Sequence, residues 1–487
     1  MPTPRVAQIE PAPGFDEALL RFANWSGLGA LRSSLTGEAR GRYSFLFADP
    51  VATFQIDHAG RIETAFSAGI DSGHLVESHP DADASPFALP AQWQKRLTTD
   101  HLDDLPPFQG GLAGVVNYEA GRLWERLPKA RFDDERFPLA TIGLYDWVVA
   151  WDHLTGRCWL IFHPLPELRS TQQADRRWKR VTDVLAGRGA PSETPPVRPP
   201  VAATPDLAAS FPCPRLPGLV SNFDRPGYLR AVERVIRYIH AGDIFQANLS
   251  QRFAIPASSD PIALFLKLGQ VNSAPFAGYY DAGSFQVISA SPERFLRLTG
   301  DAVETRPIKG TRPRRAGVEA DLLTRDELRE SAKDRAENVM IVDLLRNDLS
   351  RVCRPGSIRV PQLCAVETYE TVQHLVSEVR GSLKPGVDFF DLLAATFPGG
   401  SITGAPKIRA MEIITELEQV SRGPYCGTIF YYGFSGQADS SILIRTFTQM
   451  GGLLRFPAGG GITAQSNPDE EYHETLHKVE GMLRALE

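Results

Sequence analysis

The sequence predicts an α+β fold, because strand-like and helix-like segments follow one another without the regular alternation of a parallel sheet. Early in the chain, residues 43–47, 141–145 and 147–151 are rich in β-branched and aromatic residues and are bounded by Gly, Asp and Pro. Later, the strand-like segments 285–289 and 440–444 are interspersed among helical ones. These observations favour α+β over a doubly wound parallel sheet.

A proline-rich segment divides the chain. Residues 190–217 lose hydrophobic periodicity and include the run Pro-Ser-Glu-Thr-Pro-Pro-Val-Arg-Pro-Pro, which is typical of an extended linker. We therefore predict an amino-terminal, sheet-rich domain of residues 1–189, a linker of residues 190–217, and a second domain of residues 218–487 in which helices and strands are mixed.

Composition limits the class of protein. A chain of 487 residues that is 43% hydrophobic can bury a large core. The net charge of −6 gives no basic excess, so nucleic-acid binding is not expected. The five cysteines are odd in number and have no CxxC spacing, which argues against a disulfide framework or a zinc site and indicates the reducing cytoplasm. No signal core or membrane-spanning segment is expected.

Two predicted helices carry acidic side chains on one face. Helical periodicity marks residues 228–239, 334–349, 406–417 and 469–486. Asp334 and Glu337 share one helix face, and Glu471, Glu474 and Lys478 share another. Each face could offer carboxylates to a hard cation such as Mg²⁺. The alternative is a pair of ordinary surface ion pairs, which are weak.

Lys309 is the residue with the strongest chemical signal. It lies in the segment 306–312, where Pro307 and Gly310 make a regular helix unfavourable and place the lysine at a strand end or a turn. An amine held in this way can act as a nucleophile if it is desolvated. The alternative is an ordinary solvated loop lysine, since buried lysines are rare.

A glycine-rich segment precedes one of the predicted helices. Residues 398–407 read Pro-Gly-Gly-Ser-Ile-Thr-Gly-Ala-Pro-Lys, so Ser401 or Thr403 could cap the helix. Ala405 stands where a phosphate-binding loop would have lysine, so the segment is not a Walker motif. A carboxylate or small-anion site and simple helix capping both remain open.

Several isolated residues could contact a ligand. Arg445 follows a buried-looking strand and suits a bidentate carboxylate contact. His374 could be a base or a core histidine, and Glu293 could be an acid, a base, a cap or an ion-pair partner of a lysine. The glycine run that contains Gly460 and Gly461 could bring bare backbone against a ligand or could form a turn.

Taken together, these segments resemble the chorismate-utilising enzymes, a family that includes anthranilate, aminodeoxychorismate, isochorismate and salicylate synthases. The resemblance lies in residues 242–253, 291–293, 307–314, 337–348, 400–407, 444–446 and 474–478, with weaker matches at 41–50 and 110–119. It implies a large two-sheet antiparallel β-sandwich flanked by helices, with chorismate as the substrate.

The resemblance also implies residue roles. Glu293 would protonate the departing C4 hydroxyl of chorismate. Glu337 and Glu474 would bind Mg²⁺, with Asp334 and Glu471 assisting through waters. The residues that would hold the enolpyruvyl carboxylate are Arg445, Tyr431 and the amides around Gly460 and Gly461. The residues that would line the ring site are Thr403, His374 and Lys478. Of these, Thr403 and His374 would belong to the catalytic set, together with Lys309 and Glu293.

Two positions distinguish the reactions within the family. Members that add water carry a lysine where this chain has Gln246, so amination is the better interpretation. Members that form anthranilate have a small residue where this chain has Lys309, whereas those that aminate C4 have lysine there. Asn248 also resembles the C4-aminating group. The expected reaction therefore proceeds through a covalent Lys309 adduct to 4-amino-4-deoxychorismate, on the route to p-aminobenzoate and folate.

An attacking lysine must be partly uncharged. We expect burial and neighbouring cations such as Arg306 or Arg312 to lower the pKa of Lys309. The sequence contains no recognisable glutaminase domain, so ammonia is expected from a separate glutamine amidotransferase subunit or from solution. Two alternatives remain open, namely an anthranilate synthase component I and a non-catalytic homologue that binds chorismate or an amino acid.

Overall fold

A computed structural model of the chain describes residues 3–33, 41–68, 70, 85–188, 208–315, 317–369 and 372–487. Most of the predicted linker, residues 190–207, lies outside the described residues. Within them, the strands form two large antiparallel sheets.

The first sheet contains 13 strands within the described ranges. In spatial order they are β1 (Arg5–Gln8), β9 (Arg157–Phe162), β8 (Trp147–Asp152), β3 (Tyr43–Phe47), β2 (Gly29–Arg32), β13 (Phe276–Asp281), β14 (Gln286–Ser291), β23 (Thr446–Met450), β24 (Leu453–Ile462), β12 (Gln246–Pro256), β11 (Val220–Ser221) and β10 (Phe211–Pro212), with the short β20 (Gly404–Ala405) paired to β12. Strands from before and after the predicted linker are neighbours here, because β2 pairs with β13.

The second sheet contains 11 strands in the described part of the chain. In spatial order they are β17 (Ile308–Pro313), β19 (Val372–Ser382), β16 (Ala302–Thr305), β15 (Arg294–Thr299), β22 (Ala438–Ile442), β21 (Thr428–Gly433), β6 (Gly111–Val116), β7 (Ala140–Tyr145), β4 (Ala52–Ile56) and β5 (Ile62–Phe66), with β18 (Arg359–Thr368) paired to β19. The pairing of β6 with β21 again joins early and late segments of the chain.

Helices flank these sheets. They are α1 (Phe15–Arg21), α2 (Ala88–Arg96), α3 (Thr171–Leu185), α4 (Arg225–His240), α5 (Pro261–Val271), α6 (Val318–Glu330), α7 (Ala332–Ser350), α8 (Phe389–Thr396), α9 (Lys407–Glu418) and α10 (Pro468–Leu486), with short 3₁₀ turns at Tyr118–Leu123 and Gly400–Ile402. The four segments with predicted helical periodicity correspond to α4, α7, α9 and α10. No helix in the described ranges is both long and apolar enough to cross a bilayer.

The two sheets pack face to face. Phe45 of the first sheet contacts Tyr431 of the second, and the ring of Phe108 stacks on Tyr431 at 4.7 Å. These rings belong to a buried cluster that draws side chains from both sheets, as expected for a sandwich. A second cluster packs α1, α3, α5 and α10 against the first sheet. The predicted α+β class and the two-sheet antiparallel sandwich are therefore confirmed.

Candidate active site

Lys309 lies in β17 beside an interruption of strand pairing. Lys309 pairs with Leu375 and Thr311 pairs with His374, so Gly310 is the extra residue of a bulge. Gly310 has φ +76°, a conformation that favours glycine. The bulge directs the Lys309 ammonium to the main-chain carbonyl oxygen of Ser401, to which Nζ donates a hydrogen bond of 3.0 Å.

Burial lowers the pKa of Lys309, as the sequence led us to expect. The carboxylates of Glu337 and Glu293 oppose this shift, and the charge of Lys478 reinforces it. The cations proposed from the sequence are engaged elsewhere. Arg306 pairs with Glu367 and Glu378, and Arg312 pairs with Asp334. The expectation that Arg306 or Arg312 lowers the pKa of Lys309 was therefore wrong.

Glu293 lies beside Lys309, in the connection between β14 and β15. Its side chain is 4% exposed, and Oε1 lies 3.5 Å from the backbone N–H of Ile308. Burial raises the pKa of Glu293 to about 7, although a hydrogen bond with the Ser401 side chain and the charge of Lys309 both act against the increase. Glu293 can therefore hold or release a proton near neutral pH, which suits a general acid.

Ser401 is the residue of this centre that sequence reasoning missed, since the sequence suggested only a helix cap. Its carbonyl accepts from Lys309 and its side chain bonds Glu293, so one residue contacts both reactive groups. Thr403, also considered as a cap, is fully buried and donates to the Gly399 carbonyl at 2.9 Å. The N-cap residue of α9 is Pro406, and no side chain forms a capping hydrogen bond at this helix end. Neither Ser401 nor Thr403 therefore caps α9. The glycine-rich segment thus forms a buried turn beneath Lys309.

Two helices bring carboxylates to the same centre. Glu337 projects from α7 and Glu474 from α10, and both interact electrostatically with Lys309. Burial raises the pKa of Glu337. Burial acts to raise the pKa of Glu474. The ion pair with Lys478, 2.6 Å away, nevertheless holds this pKa below its usual range. Lys478 also donates to the Gly459 carbonyl at 2.8 Å.

The two acidic residues that were predicted to assist Mg²⁺ binding through waters form hydrogen bonds or ion pairs with other side chains. Asp334 accepts from Arg312 at 2.9 Å. Glu471 is buried, accepts from the Ser466 hydroxyl at 2.6 Å and lies 3.7 Å from the Lys333 ammonium. Both carboxylates are therefore fixed by partners near Glu337 and Glu474.

The carboxylate pair fits a magnesium ion that takes its other ligands from water and substrate. Across the described ranges, no three His, Cys, Asp or Glu side chains converge into a metal site by themselves. However, Mg²⁺ commonly uses only one or two protein carboxylates. After burial, the negative charges of Asp334 and Glu474 also raise the pKa of Glu337, and a divalent cation would relieve this like-charge repulsion.

Arg445 and His374 form a second polar pair. Arg445 has φ +52°, burial lowers its pKa, and within the described residues its guanidinium forms no ion pair. The His374 ring is 3% exposed, and its Nδ1 lies 2.8 Å from the Thr311 hydroxyl. Burial and the charge of Arg445 lower the pKa of His374 to about 3, so the imidazole is neutral at physiological pH. A desolvated guanidinium beside a neutral ring is suited to an incoming carboxylate.

Gly460 and Gly461 lie in β24, opposite Leu249 and Asn248 of β12. A Cβ on Gly460 would approach Glu471 Oε2 to 3.1 Å and Glu474 Oε1 to 3.3 Å. A Cβ on Gly461 would lie 2.1 Å from the amide of Gln246. The glycines therefore allow β24 to pass close to the acidic residues on one side and to Gln246 on the other.

Tyr431 is not brought to this centre. Its ring packs between Phe45 and Phe108 at a separate cavity of about 120 Å³. The charged groups that act on its hydroxyl are Asp439, Arg297 and Arg294. The structure therefore gives no geometric support for Tyr431 as a partner of Arg445.

The chemistry available is that of an amine nucleophile and a carboxylic acid that share one buried turn. Burial shifts the pKa of Lys309 down and that of Glu293 up, so both move towards their uncharged forms. A carboxylate pair that could bind a metal lies on one side. The Arg445 and His374 pair adjoins β17, since His374 pairs with Thr311.

Known proteins of similar sequence and structure identify the family of this chain. The sequence profile described as chorismate binding enzyme matches residues 34–484. The chain is 43% identical to aminodeoxychorismate synthase component 1 of Salmonella typhimurium over 92% of this chain and 90% of that protein. It is 40% identical to anthranilate synthase component 1 of Thermus thermophilus, with 79% of each chain covered.

Among solved structures, anthranilate synthase component I from Streptococcus pneumoniae superimposes with a TM-score of 0.74 at 28% identity, covering 92% of this chain and 93% of that chain. The extent of the family match and of the similarity to these relatives leads to one conclusion. The chain belongs to the family of chorismate binding enzymes.

Proposed function

We propose that this protein is an aminodeoxychorismate synthase component I, an amino-group transferase that converts chorismate and ammonia to 4-amino-4-deoxychorismate. The proposal is supported by family membership and by the names of relatives that are 37–43% identical to the chain. The observation that carries it is the half-buried Lys309 amine, which has a lowered pKa and shares the Ser401 turn with Glu293.

In the first step, uncharged Lys309 Nζ attacks C2 of chorismate. Both double bonds of the ring diene shift by one position, the C4–O bond breaks, and the hydroxyl leaves as water after it takes a proton from the Glu293 carboxyl group. The products are a covalent secondary ammonium on Lys309 and a Glu293 carboxylate. Because the pKa of Glu293 is about 7, the required protonated form is available at neutral pH.

In the second step, ammonia attacks C4 of the adduct. Both ring double bonds return to their first positions, the C2–N bond breaks, and Lys309 leaves as a neutral amine. The new ammonium at C4 transfers one proton to the Glu293 carboxylate, which restores the acid. The net reaction replaces the C4 hydroxyl by an amino group and releases water.

Substrate carboxylates require cationic partners. The Arg445 guanidinium, which has no ion-pair partner within the described residues, would bind the enolpyruvyl carboxylate, with the amides of Gly460 and Gly461 nearby. His374, Thr403 and Lys478 would line the ring site. Arg445 and Lys478 would thus recognise a dianionic ligand in a protein with a net charge of −6.

Glu337 and Glu474 would hold a Mg²⁺ ion at the ring carboxylate. When bound, the ion would offset most of the negative charge that the ring carboxylate and the two glutamates carry together. We expect Glu337→Gln to weaken Mg²⁺ binding at least tenfold, because it removes one of two charged ligands. Calorimetric titration of Mg²⁺ into protein without substrate measures this, with the exposed Glu470→Gln on α10 as the control. Equal affinity in the two variants would contradict the ligand assignment.

Ammonia would come from a separate glutamine amidotransferase subunit, and the product would serve p-aminobenzoate and folate synthesis. The cytoplasm remains the predicted location. It is supported by five cysteines that are all buried and form no disulfide, a pattern typical of a reducing compartment.

Two measurements test the proposed reaction. Protein, chorismate, Mg²⁺ and ammonium are incubated, and the products are separated by chromatography to distinguish the 4-amino from the 2-amino isomer. Without ammonia, mass spectrometry of the digested protein should detect a chorismate-derived adduct on the peptide that contains Lys309. Anthranilate as the main product, with no adduct, would contradict the proposal.

Anthranilate synthase component I is the second candidate. It is favoured by curated relatives of that name, which are 35–41% identical to this chain. In that reaction ammonia itself attacks C2, and no protein amine is needed. The position of Lys309 at the Ser401 turn is the reason to prefer amination at C4.

A further inference from the structure

A buried arginine outside the predicted site is bonded to the turn beneath Lys309. Arg422 lies between α9 and β21 and is 4% exposed. Its Nη1 donates to the Ile402 carbonyl at 3.1 Å, and its Nη2 donates to the Asn248 carbonyl at 2.6 Å. Ile402 follows Ser401 in the turn, and Asn248 donates its backbone N–H to the Thr403 carbonyl at 2.7 Å. Arg422 therefore joins β12 to the segment that contacts the reactive amine.

The guanidinium of Arg422 is itself tightly held. Nε and Nη2 donate to the two carboxylate oxygens of Glu418 at 2.9 and 2.6 Å. The rings of Tyr118 and Tyr425 lie 4.7 and 5.7 Å from its central carbon. Glu418 also accepts from the backbone N–H and hydroxyl of Ser250, at 2.7 and 2.8 Å. These contacts use all three guanidinium nitrogens, an arrangement that one lysine ammonium cannot reproduce.

The amino-terminal part of the chain fixes the backbone of this arginine. Glu119, in the 3₁₀ turn Tyr118–Leu123, is 7% exposed. Its two carboxylate oxygens accept the backbone N–H groups of Arg422 at 2.7 Å and Gly423 at 3.0 Å. In return, Tyr118 donates its backbone N–H to the Gly423 carbonyl at 2.8 Å. Glu119 is 303 residues from Arg422 in sequence, so this contact links distant parts of the chain.

We propose that Arg422 is a positioning residue for the amination reaction, and that Glu119 holds it in place. By fixing the Ile402 and Asn248 carbonyls, Arg422 keeps the Ser401 carbonyl 3.0 Å from Lys309 Nζ and the Ser401 side chain on Glu293. The inference rests on the proposed function, since it assumes that Lys309 is the reacting amine. Arg422 does not touch the substrate in this scheme, so its loss should slow the chemical step and leave substrate affinity nearly unchanged.

Arg422→Lys tests the proposal against a matched variant, Arg252→Lys. Arg252 is also a buried arginine that binds a carboxylate through two nitrogens, here Asp134 at 2.8 and 2.7 Å, and it has no hydrogen bond to the 400–403 turn. Melting temperature, kcat, KM for chorismate and the rate of adduct formation without ammonia are measured for both variants and the parent protein.

We expect both variants to lose comparable thermal stability, because each loses a buried bidentate contact. Only Arg422→Lys should also lose about 100-fold in kcat and in the rate of adduct formation, with KM changed by less than about threefold, because a small displacement of reacting groups is costly. Equal kcat values in the two variants, or a change in KM alone, would overturn the proposal.

If Arg422→Lys does not fold, Glu119→Gln provides the second test, since it replaces one accepting oxygen by a donor opposite a backbone N–H. Its kcat should fall about tenfold with little change in KM, and an unchanged kcat would overturn the role of this network. The proposed function is judged separately by the isomer that the parent protein makes. A parent protein that makes anthranilate would refute C4 amination, while the ratio of kcat values would still decide the role of Arg422.

Discussion

At the scale of single residues, Lys309 and Glu293 illustrate how one environment can adjust an acid and a nucleophile together. Both groups are desolvated, and desolvation favours whichever form is uncharged. For an amine this form is the nucleophile, and for a carboxyl group it is the proton donor. Burial of both groups at one turn therefore suits both to the same step of the proposed reaction.

The first prediction concerns Lys309→Ala. This variant should form no 4-amino product, because no amine can make the adduct, while slow attack of ammonia at C2 should still give the 2-amino isomer. Chromatographic separation of the 4-amino and 2-amino isomers measures both products. Lys267→Ala, which changes an exposed lysine of α5, is the control and should behave like the parent protein. Unchanged formation of the 4-amino product would exclude the covalent route.

The second prediction concerns the pH dependence of Glu293. Adduct formation needs protonated Glu293 in the parent protein, and it needs uncharged Lys309 in the parent protein and in Glu293→Gln alike. The ratio of the parent's single-turnover rate to that of Glu293→Gln should therefore fall as pH rises through about 7. Glu293→Gln cannot donate this proton. Its rate of adduct formation should be lower than that of the parent protein by a factor of roughly 100 or more, and it should not fall near pH 7. Rapid-quench mass spectrometry of the adduct at pH 5.5 to 8.5 provides the measurement.

The same shift should affect stability. The pKa of Glu293 is raised from about 4.3 in an unfolded chain to about 7 in the folded protein. Between these values the folded state keeps a proton that the unfolded state has lost, so this contribution to stability is complete at low pH and declines as pH rises. Relative to the parent protein, Glu293→Gln should therefore gain roughly 3 to 4 kcal/mol above pH 7 and little at pH 4. Urea denaturation at both pH values tests the sign.

Sequence patterns and the family resemblance suggested most residues of the candidate centre. They did not indicate which of these residues contact one another. The Pro-Ile-Lys-Gly-Thr segment marked Lys309 as conformationally unusual, yet its hydrogen-bond acceptor, Ser401, is 92 residues away. The pKa of Lys309 depends on burial, which a single sequence does not specify. Tyr431 occupies a strand position consistent with many roles, and only the packing of Phe45 and Phe108 shows which cavity it lines.

At the scale of elements, the bulge in β17 sets the direction of the reactive amine. Gly310 has a positive φ, and a Cβ there would lie 2.8 Å from Leu328 Cδ1 and 2.9 Å from Asp334 Cγ. Helix α7, which carries Asp334 and Glu337, therefore packs directly against the bulge. The lysine and one candidate metal ligand are in this way kept at a fixed relative position.

The third prediction is that Gly310→Ala reduces kcat about 100-fold, because it displaces Lys309 as well as straining the backbone. Gly300→Ala is the matched control. Gly300 also has a positive φ, of +61°, but a Cβ there meets nothing within 4 Å. Both variants should lose about 1 to 2 kcal/mol of stability from backbone strain. Only Gly310→Ala should also lose activity. Equal activity in the two variants would contradict the role of the bulge.

Regular elements were more predictable than irregular ones. The segment predicted as helical at 334–349 is α7, Ala332–Ser350, because a 3.6-residue period persists over several turns. The turn Gly400–Ile402 was anticipated only as a helix cap or an anion site. Its hydrogen bonds run to strands and side chains far away in the chain, and such contacts leave no local pattern.

At the scale of the whole molecule, the cysteines bear on the source of ammonia. A glutaminase of the cysteine type needs an activated thiolate, whereas all five cysteines of this chain are buried. Burial raises the pKa of Cys426 and of Cys158 to about 12. These thiols therefore stay protonated at neutral pH.

The fourth prediction follows from this. The isolated chain should aminate chorismate with ammonium salts but not with glutamine, and the rate should rise with the fraction of free NH₃. Product formation is measured with each nitrogen source at equal concentration, and the addition of a glutamine amidotransferase subunit is the positive control. Turnover with glutamine by the isolated chain would contradict the proposed role of a separate subunit.

The strand order was the feature least accessible to sequence reasoning. Alternation of apolar residues indicates that a segment is a strand, but it does not indicate its neighbours. The resemblance to a known family, rather than periodicity, was what implied two sheets. Nothing in the composition around residues 29–32 indicates that they pair with residues 277–280.

The shared sheets have a consequence for biosynthesis. When β2 and β6 leave the ribosome, their partners β13 and β21 have not yet been translated. Until these partners emerge, both incomplete sheets have edges with unpaired hydrogen-bonding groups. Pairing over such long sequence separations slows folding and prolongs the exposure of these edges to aggregation. Nascent chains stalled after residue 260 should therefore recruit chaperones and be cleaved readily by added protease, and should become resistant only once the last strands have emerged.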